Sequence, residues 1–76
     1  MQKTSITLAS VQDVRDFVQE VILLEYEVDL VQGRYIVDAK SIMGIFALDT
    51  LRPIEVQAHT DNAEAFFKKI DKYIVK

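Results

Sequence analysis

The stretch Leu24-Glu25-Tyr26-Glu27-Val28-Asp29-Leu30 alternates apolar and acidic side chains without interruption. A period of two predicts a β-strand with one buried face and one solvated face. Gln32-Gly33 can turn the chain directly afterwards, and Arg34–Asp38 then predicts the returning strand of a hairpin. A sheet with one wet face needs helices on its other face, so the segments outside this hairpin decide the fold class.

Two further segments alternate in the same way, one near each end of the chain. Thr4–Leu8 predicts a first strand, with Ile6 and Leu8 directed into the core. Ile54–Ala58 alternates apolar side chains with Glu55 and Gln57, which predicts a fourth strand after the only proline.

The segments between the strands have helical spacing. Ser10 followed by Asp13 has the pattern of a capping box and predicts a helix over Val11–Ile22. Ser41 predicts the cap of a short helix reaching about Leu48, and a long last helix is expected after a cap within Asp61–Glu64. The predicted apolar stripes of the long helices are Val11, Val14, Val18, Val21 and Ile22, with Phe17 at the edge, and Ala63, Phe66, Phe67, Ile70, Tyr73 and Ile74.

These elements follow the order β-α-β-β-α-β-α. Each predicted strand has one apolar and one polar face, so a single four-stranded antiparallel sheet with all helices on one face satisfies the pattern. The sequence therefore predicts an α+β open-faced β-sandwich. At 76 residues, positions 1–76 are expected to form one domain.

The charge balance narrows the classes of partner. Lys plus Arg number 9 and Asp plus Glu number 12, so the net charge is −3, unlike the basic stripe of a nucleic-acid-binding domain. No cysteine is present, which excludes a disulfide framework and cysteine-ligated zinc. No apolar run has the length of a membrane span or a signal peptide, so a cytoplasmic protein without membrane contact is expected.

The pentapeptide Lys40-Ser41-Ile42-Met43-Gly44, in this order of elements, resembles the phosphocarrier protein HPr family of the bacterial sugar phosphotransferase system. The resemblance continues through Ile45–Leu48, and in element order and length it covers nearly the whole chain. It implies a bacterial protein that is not an enzyme, needs no cofactor or metal, and acts through protein partners. Those partners would be phosphotransferase-system components, a serine kinase or a transcription regulator.

The resemblance fails at the residue that carries phosphate in that family. Members hold a histidine in a Gly-x-His-Ala-Arg-Pro loop at the start of the first helix. Counting back from Ser41 without gaps places Ser10 at the histidine position, with Gln12 and Asp13 at the Arg-Pro positions. A hydroxyl stands where an imidazole nucleophile is needed, and Asp13 and Asp16 would repel a phosphoryl group. We therefore expect a degenerate site without histidine phosphotransfer.

Ser41 is the residue to which the resemblance gives a second role. In many Gram-positive members the matching serine is phosphorylated by a dedicated kinase, and one branch keeps this serine while lacking the histidine. Ser41 is thus a candidate regulatory phosphosite, although a serine here can also serve only as a helix cap. The same resemblance implies that partners dock on the short helix, and the candidates there are Ile42, Met43, Ile45 and Phe46, with core packing as the alternative role.

The remaining polar candidates have simpler interpretations. His59 is the only histidine and is expected on the wet face of the fourth strand, without a ligand cluster. Glu25, Glu27 and Asp29 are interpreted as a solvated strand face. Two alternatives to a His-less regulatory module stay open: a phosphocarrier that uses an atypical acceptor such as Ser10 or His59, and a structural or oligomerising domain.

Overall fold

The computed structural model describes all residues from Met1 to Lys76. The elements are β1 (Gln2–Ile6), α1 (Val11–Ile22), β2 (Val28–Gln32), β3 (Tyr35–Asp38), α2 (Ile42–Phe46), β4 (Ile54–Ala58) and α3 (Glu64–Lys69), followed by a 3₁₀ turn at Asp71–Tyr73. The four strands form one antiparallel sheet in the order β1-β4-β2-β3. The α+β architecture predicted from the sequence is therefore confirmed.

One face of the sheet carries the core. Leu30 of β2 lies opposite Val56 of β4, and both side chains are fully buried. Ile6 and Leu8 are also fully buried, as the alternation in the first segment predicts. All buried residues belong to a single hydrophobic cluster that joins the helices to this face, which leaves the opposite face open to solvent. None of the helices has the length and apolar character needed to cross a membrane.

The second strand begins later than its alternation predicts. β2 starts at Val28 rather than Leu24, because the preceding residues connect the end of α1 to the sheet without continuous ladder pairing. Leu24 and Tyr26 are nevertheless packed against the core, while Glu25 and Glu27 are exposed. The alternation therefore gives the correct burial even where no strand is formed.

The first helix has the predicted bounds but a shifted apolar face. Val11 and Ile22 occupy its two ends and are exposed, whereas Val14, Val18 and Val21 are buried as predicted. Phe17, expected at the edge of the stripe, is fully buried at its centre. Its ring lies 6.2 Å from that of Phe66 and 6.4 Å from that of Tyr73, so Phe17 joins α1 to the C-terminal elements.

The last helix is shorter than predicted. α3 ends at Lys69, and the chain passes through the 3₁₀ turn to an extended end in which Ile74 bridges Ile6. The amide of Val75 also donates to the carbonyl of Ser5 at 2.9 Å. Pairing with the outer edge of β1 competes with continued helix, and Ile74 keeps its place against the core in the extended conformation.

Candidate functional site

Ser10 is the N-cap of α1, as predicted. Its Oγ accepts a hydrogen bond from the amide of Asp13 at 3.1 Å. The carboxylate of Asp13 accepts in return from the amide of Ala9 at 3.2 Å, one residue earlier than in a standard capping box. The Ser10 hydroxyl, which counting back from Ser41 predicts at the phosphocarrier position, therefore has a structural role as a helix cap.

The first turns of α1 are acidic and already hydrogen-bonded. Gln12 is exposed, and its side-chain amide donates to the carboxylate of Asp16 at 2.8 Å. Arg15 is exposed and makes no ion pair within the chain. Two carboxylates thus occupy the helix end where a phosphoryl group would need cations or free amide donors.

Ser41 is the N-cap of α2. Its Oγ accepts from the amide of Gly44 at 3.0 Å, and its own amide donates to the carbonyl of Asp38 at 2.9 Å. The residue is half-buried. A Cβ on Gly44 would lie 3.1 Å from the Ser41 Oγ and 3.2 Å from the Val37 Cβ, so glycine permits the close approach of α2 to β3.

The apolar side chains of α2 divide into an anchor and a surface. Ile45 is fully buried in the core, which corrects its assignment as a docking residue, because a side chain without solvent exposure cannot meet a partner in this conformation. Met43 is 81% exposed, Phe46 45% and Ile42 38%. We call Ile42, Met43 and Phe46 the α2 patch.

Two more exposed apolar residues, which the sequence analysis did not single out as docking residues, lie close to the start of α1. Val11 is the first residue of that helix and Leu51 belongs to the loop before β4, and both are largely exposed. The carbonyl of Thr50 accepts from the amide of Leu8 at 2.8 Å, which ties this loop to the segment leading into α1. α1 and α2 are also in contact.

His59 has a partner that sequence spacing did not reveal. Its Nε2 lies 2.9 Å from a carboxylate oxygen of Asp29, thirty positions away in the chain. Nearby, the amide of His59 donates to the carbonyl of Glu27, whose carboxylate pairs with Lys40 at 3.2 Å. This end of the open sheet face is rich in carboxylates. No three His, Cys, Asp or Glu side chains are arranged to hold a metal ion.

Two surface depressions complete the description. The larger, about 610 Å³, lies on the open face beside the Gly33 turn, and the smaller, about 260 Å³, lies between α1 and the C-terminal elements. Neither is lined by Ser10, Ser41 or the α2 patch. The candidate site therefore lies outside both depressions.

Comparisons with known proteins bear on the fold. No family model matches the chain, and no curated protein sequence matches it significantly. Among solved structures, the crystal structure of HPr-C-His from Thermoanaerobacter tengcongensis matches 95% of this chain and 89% of that chain, with a TM-score of 0.78 and 23% sequence identity. An identity this low is informative about architecture alone, and the conclusion it supports is that this chain has the HPr-like fold.

Proposed function

We propose that this chain is a regulatory protein-binding module of the bacterial phosphotransferase system that has lost histidine phosphotransfer. It docks partner proteins through the α2 patch, works in the cytoplasm, and is not an enzyme. The observation that carries this proposal is the exposure of three large apolar side chains on a five-residue helix within an HPr-like fold.

The α2 patch has the chemistry of a protein-recognition surface. Small soluble proteins rarely leave several neighbouring large apolar side chains in water unless a partner covers them. Met43 is flexible and polarizable, and Phe46 can fill a pocket on a partner. Ile45 anchors the helix beneath them, so the patch is presented on a fixed backbone. A net charge of −3 favours a protein partner over nucleic acid.

The start of α1 supports the loss of phosphotransfer. Histidine phosphotransfer needs a neutral imidazole nitrogen and a cationic environment for the phosphoryl group. Ser10 instead caps the helix, and Asp13 and Asp16 add negative charge in the first turns. A phosphoryl group at this end would meet like charge and would displace existing hydrogen bonds.

Ser41 is the regulatory site of this proposal. Its Oγ accepts from Gly44, and a phosphorylated oxygen keeps that acceptor function. A kinase would transfer the γ-phosphoryl group of ATP to Oγ, while the hydroxyl proton leaves to a base on the kinase. The phosphate adds about −1.5 to −2 charges immediately before the α2 patch. Partners that prefer an apolar surface would lose affinity, and partners with an arginine cluster would gain it.

The docking proposal is tested by titrating the labelled chain with the general phosphotransferase enzyme, the HPr serine kinase and an HPr-dependent transcription regulator. Met43→Lys should weaken any binding by roughly tenfold or more, as expected for a residue worth above about 1.4 kcal/mol. Leu23→Lys is the matched control, because Leu23 is 71% exposed at the far end of α1. Absence of binding to all three proteins, or equal losses for both variants, would contradict the proposal.

The phosphorylation proposal is tested by intact-protein mass spectrometry after incubation with the serine kinase and ATP. The native chain should gain about 80 Da, the mass of a phosphoryl group, and Ser41→Ala should gain nothing. A true HPr in the same tube controls for kinase activity. If that control is modified and this chain is not, Ser41 is a helix cap only.

A phosphocarrier with an atypical acceptor is the second candidate, and the His59–Asp29 pair favours it. A carboxylate on one ring nitrogen orients a histidine and leaves the other nitrogen free. The surrounding carboxylates, Glu27 among them, oppose the arrival of a phosphoryl group. Incubation with phosphoenolpyruvate and the general phosphotransferase enzyme should therefore give no adduct, whereas an acid-labile adduct lost in His59→Gln would establish this alternative.

A further inference from the structure

The two edge strands of the sheet, β1 and β3, differ in whether their outer edges are paired. The outer edge of β1 is covered by the C-terminal residues Ile74 and Val75. β3 pairs only with β2, so its outer edge is free. Native proteins usually protect such an edge with charged side chains, proline, a bulge or a very short strand. β3 is four residues long and ends in Asp38, but it has no lysine or proline, and Tyr35 and Ile36 on it are 61% and 68% exposed.

The main chain of Ile36 points away from the sheet. The amide of Ala39 donates to the carbonyl of Val28, so Ala39 directs its polar groups towards β2. Main-chain directions alternate along an antiparallel strand, so Val37 and Tyr35 do the same, while Ile36 and Asp38 face outwards. The carbonyl of Asp38 is taken by the amide of Ser41. Ile36 thus offers a free donor and a free acceptor side by side.

The sequence of this edge is complementary to itself when it runs antiparallel about Ile36. In that register Ile36 faces Ile36 of a second copy, and Tyr35 faces Val37. Arg34 faces Asp38, which gives an opposite-charge pair at each end. Neither Arg34 nor Asp38 has an ion-pair partner within the chain, and both are exposed.

The charge on Asp38 strengthens this argument. Within its own sheet Asp38 lies opposite Asp29, an arrangement of like charges that destabilises a strand pair. His59 pairs with Asp29 on one side. The Asp38 carboxylate accepts a hydrogen bond from the amide of Lys40 at 2.8 Å. No side-chain cation within the chain pairs with it, and Arg34 of a second copy would supply one.

We propose that β3 pairs with β3 of a second copy of this chain about a two-fold axis through Ile36. Each Ile36 amide donates to the Ile36 carbonyl of the other copy. The two sheets then form one continuous eight-stranded sheet with all helices on the same side. The open faces also join, and Val31 and Ile36 of the two copies form an apolar strip across them.

The charge pairs provide the sharpest test, by sedimentation equilibrium up to about 1 mM, where even weak specific pairing is populated. The native chain should rise from 8.7 kDa towards twice that mass. Arg34→Glu and Asp38→Lys should each weaken dimerisation by roughly tenfold, because each places like charges opposite one another twice. An equimolar mixture of the two variants should restore it, because every cross-strand pair is again of opposite sign.

A backbone variant tests the same pairing independently. Ile36→Pro removes the outward amide but no bond to β2, so the monomer should keep its circular dichroism spectrum and lose the dimer. A chain that remains monomeric at about 1 mM overturns the proposal. So does a dimer that the charge variants and the proline leave unchanged, because it would use another surface.

Discussion

Replacement of Ile45 by alanine tests whether this buried side chain holds α2 on the core, independently of the exposed α2 patch. Ile45 is the only buried side chain of that helix and is fully buried. The substitution removes three carbons, or about 2.4 kcal/mol at about 0.8 kcal/mol for each buried methylene group. The cavity left behind adds to this, so a loss of about 3 kcal/mol in the free energy of unfolding is expected, within the usual range of about 2 to 5.

The measurement is urea denaturation followed by far-ultraviolet circular dichroism, since the chain has no tryptophan. A domain of 76 residues has a stability of about 4 to 11 kcal/mol, so Ile45→Ala should fold but with little margin. Met43→Ala, at a largely exposed position of the same helix, should change stability by less than about 0.5 kcal/mol. Ile45→Val, expected to lose about 1 kcal/mol, keeps the comparison usable if the alanine variant unfolds.

The effects of the substitutions on partner binding should follow the opposite order from their effects on stability. Met43→Ala should weaken docking while it leaves the fold intact, and Ile45→Val should bind almost normally. The reasoning is refuted if Ile45→Ala costs less than about 1 kcal/mol, because α2 would then not be anchored by this side chain. It is equally refuted if Met43→Ala destabilises the fold as much as Ile45→Ala does.

Two further predictions use the same denaturation assay. Burial raises the pKa of Tyr26 above its usual value of 10.0, so the neutral phenol contributes stability that is present below that pH and lost as pH rises through the folded pKa. Native protein should therefore lose stability relative to Tyr26→Phe as pH rises above 10.0, and parallel curves would contradict this. Gly44→Ala should lower stability by about 1 kcal/mol, because crowding against Val37 and Ser41 outweighs the better helix propensity of alanine; a stabilised variant would show that α2 can move away from β3.

Local signals were sufficient for the starts of α1 and α2 and for the hairpin, whereas α3 starts after Ala63 without a side-chain cap. Ser10 and Ser41 cap their helices through bonds that span three residues, which the sequence itself displays. Gly33 adopts a φ of +58°, so the turn lies where glycine can take the left-handed conformation, one residue later than predicted. These features depend on nearest neighbours along the chain, and no knowledge of the tertiary structure is needed to find them.

Other features depended on what packs against each segment. The apolar spacing of the last helix continues to Ile74, yet pairing with β1 ends the helix at Lys69. Helical periodicity could not show that Ile45 is buried and Met43 exposed. In a helix of two turns or less, the buried side depends on where the core lies. The His59–Asp29 pair required the register between β2 and β4, which alternation alone does not fix.

Asp38 connects the proposed regulatory serine to the proposed dimer. Its carbonyl accepts from the amide of Ser41, and its carboxylate faces Arg34 of the second copy. A phosphate on Ser41 would add negative charge at the end of β3 where, in the proposed dimer, Arg34 of the second copy faces Asp38. The two phosphates of a dimer would lie at opposite ends of the β3 pair, so attraction to Arg34 exceeds their mutual repulsion. Phosphorylation should therefore tighten dimerisation, and by reciprocity the dimer should favour the phosphorylated form. Sedimentation of Ser41→Glu and of the native chain, each at low and at high salt, measures this coupling. If Ser41→Glu dimerises more weakly than the native chain at low salt, the predicted sign of the coupling is wrong.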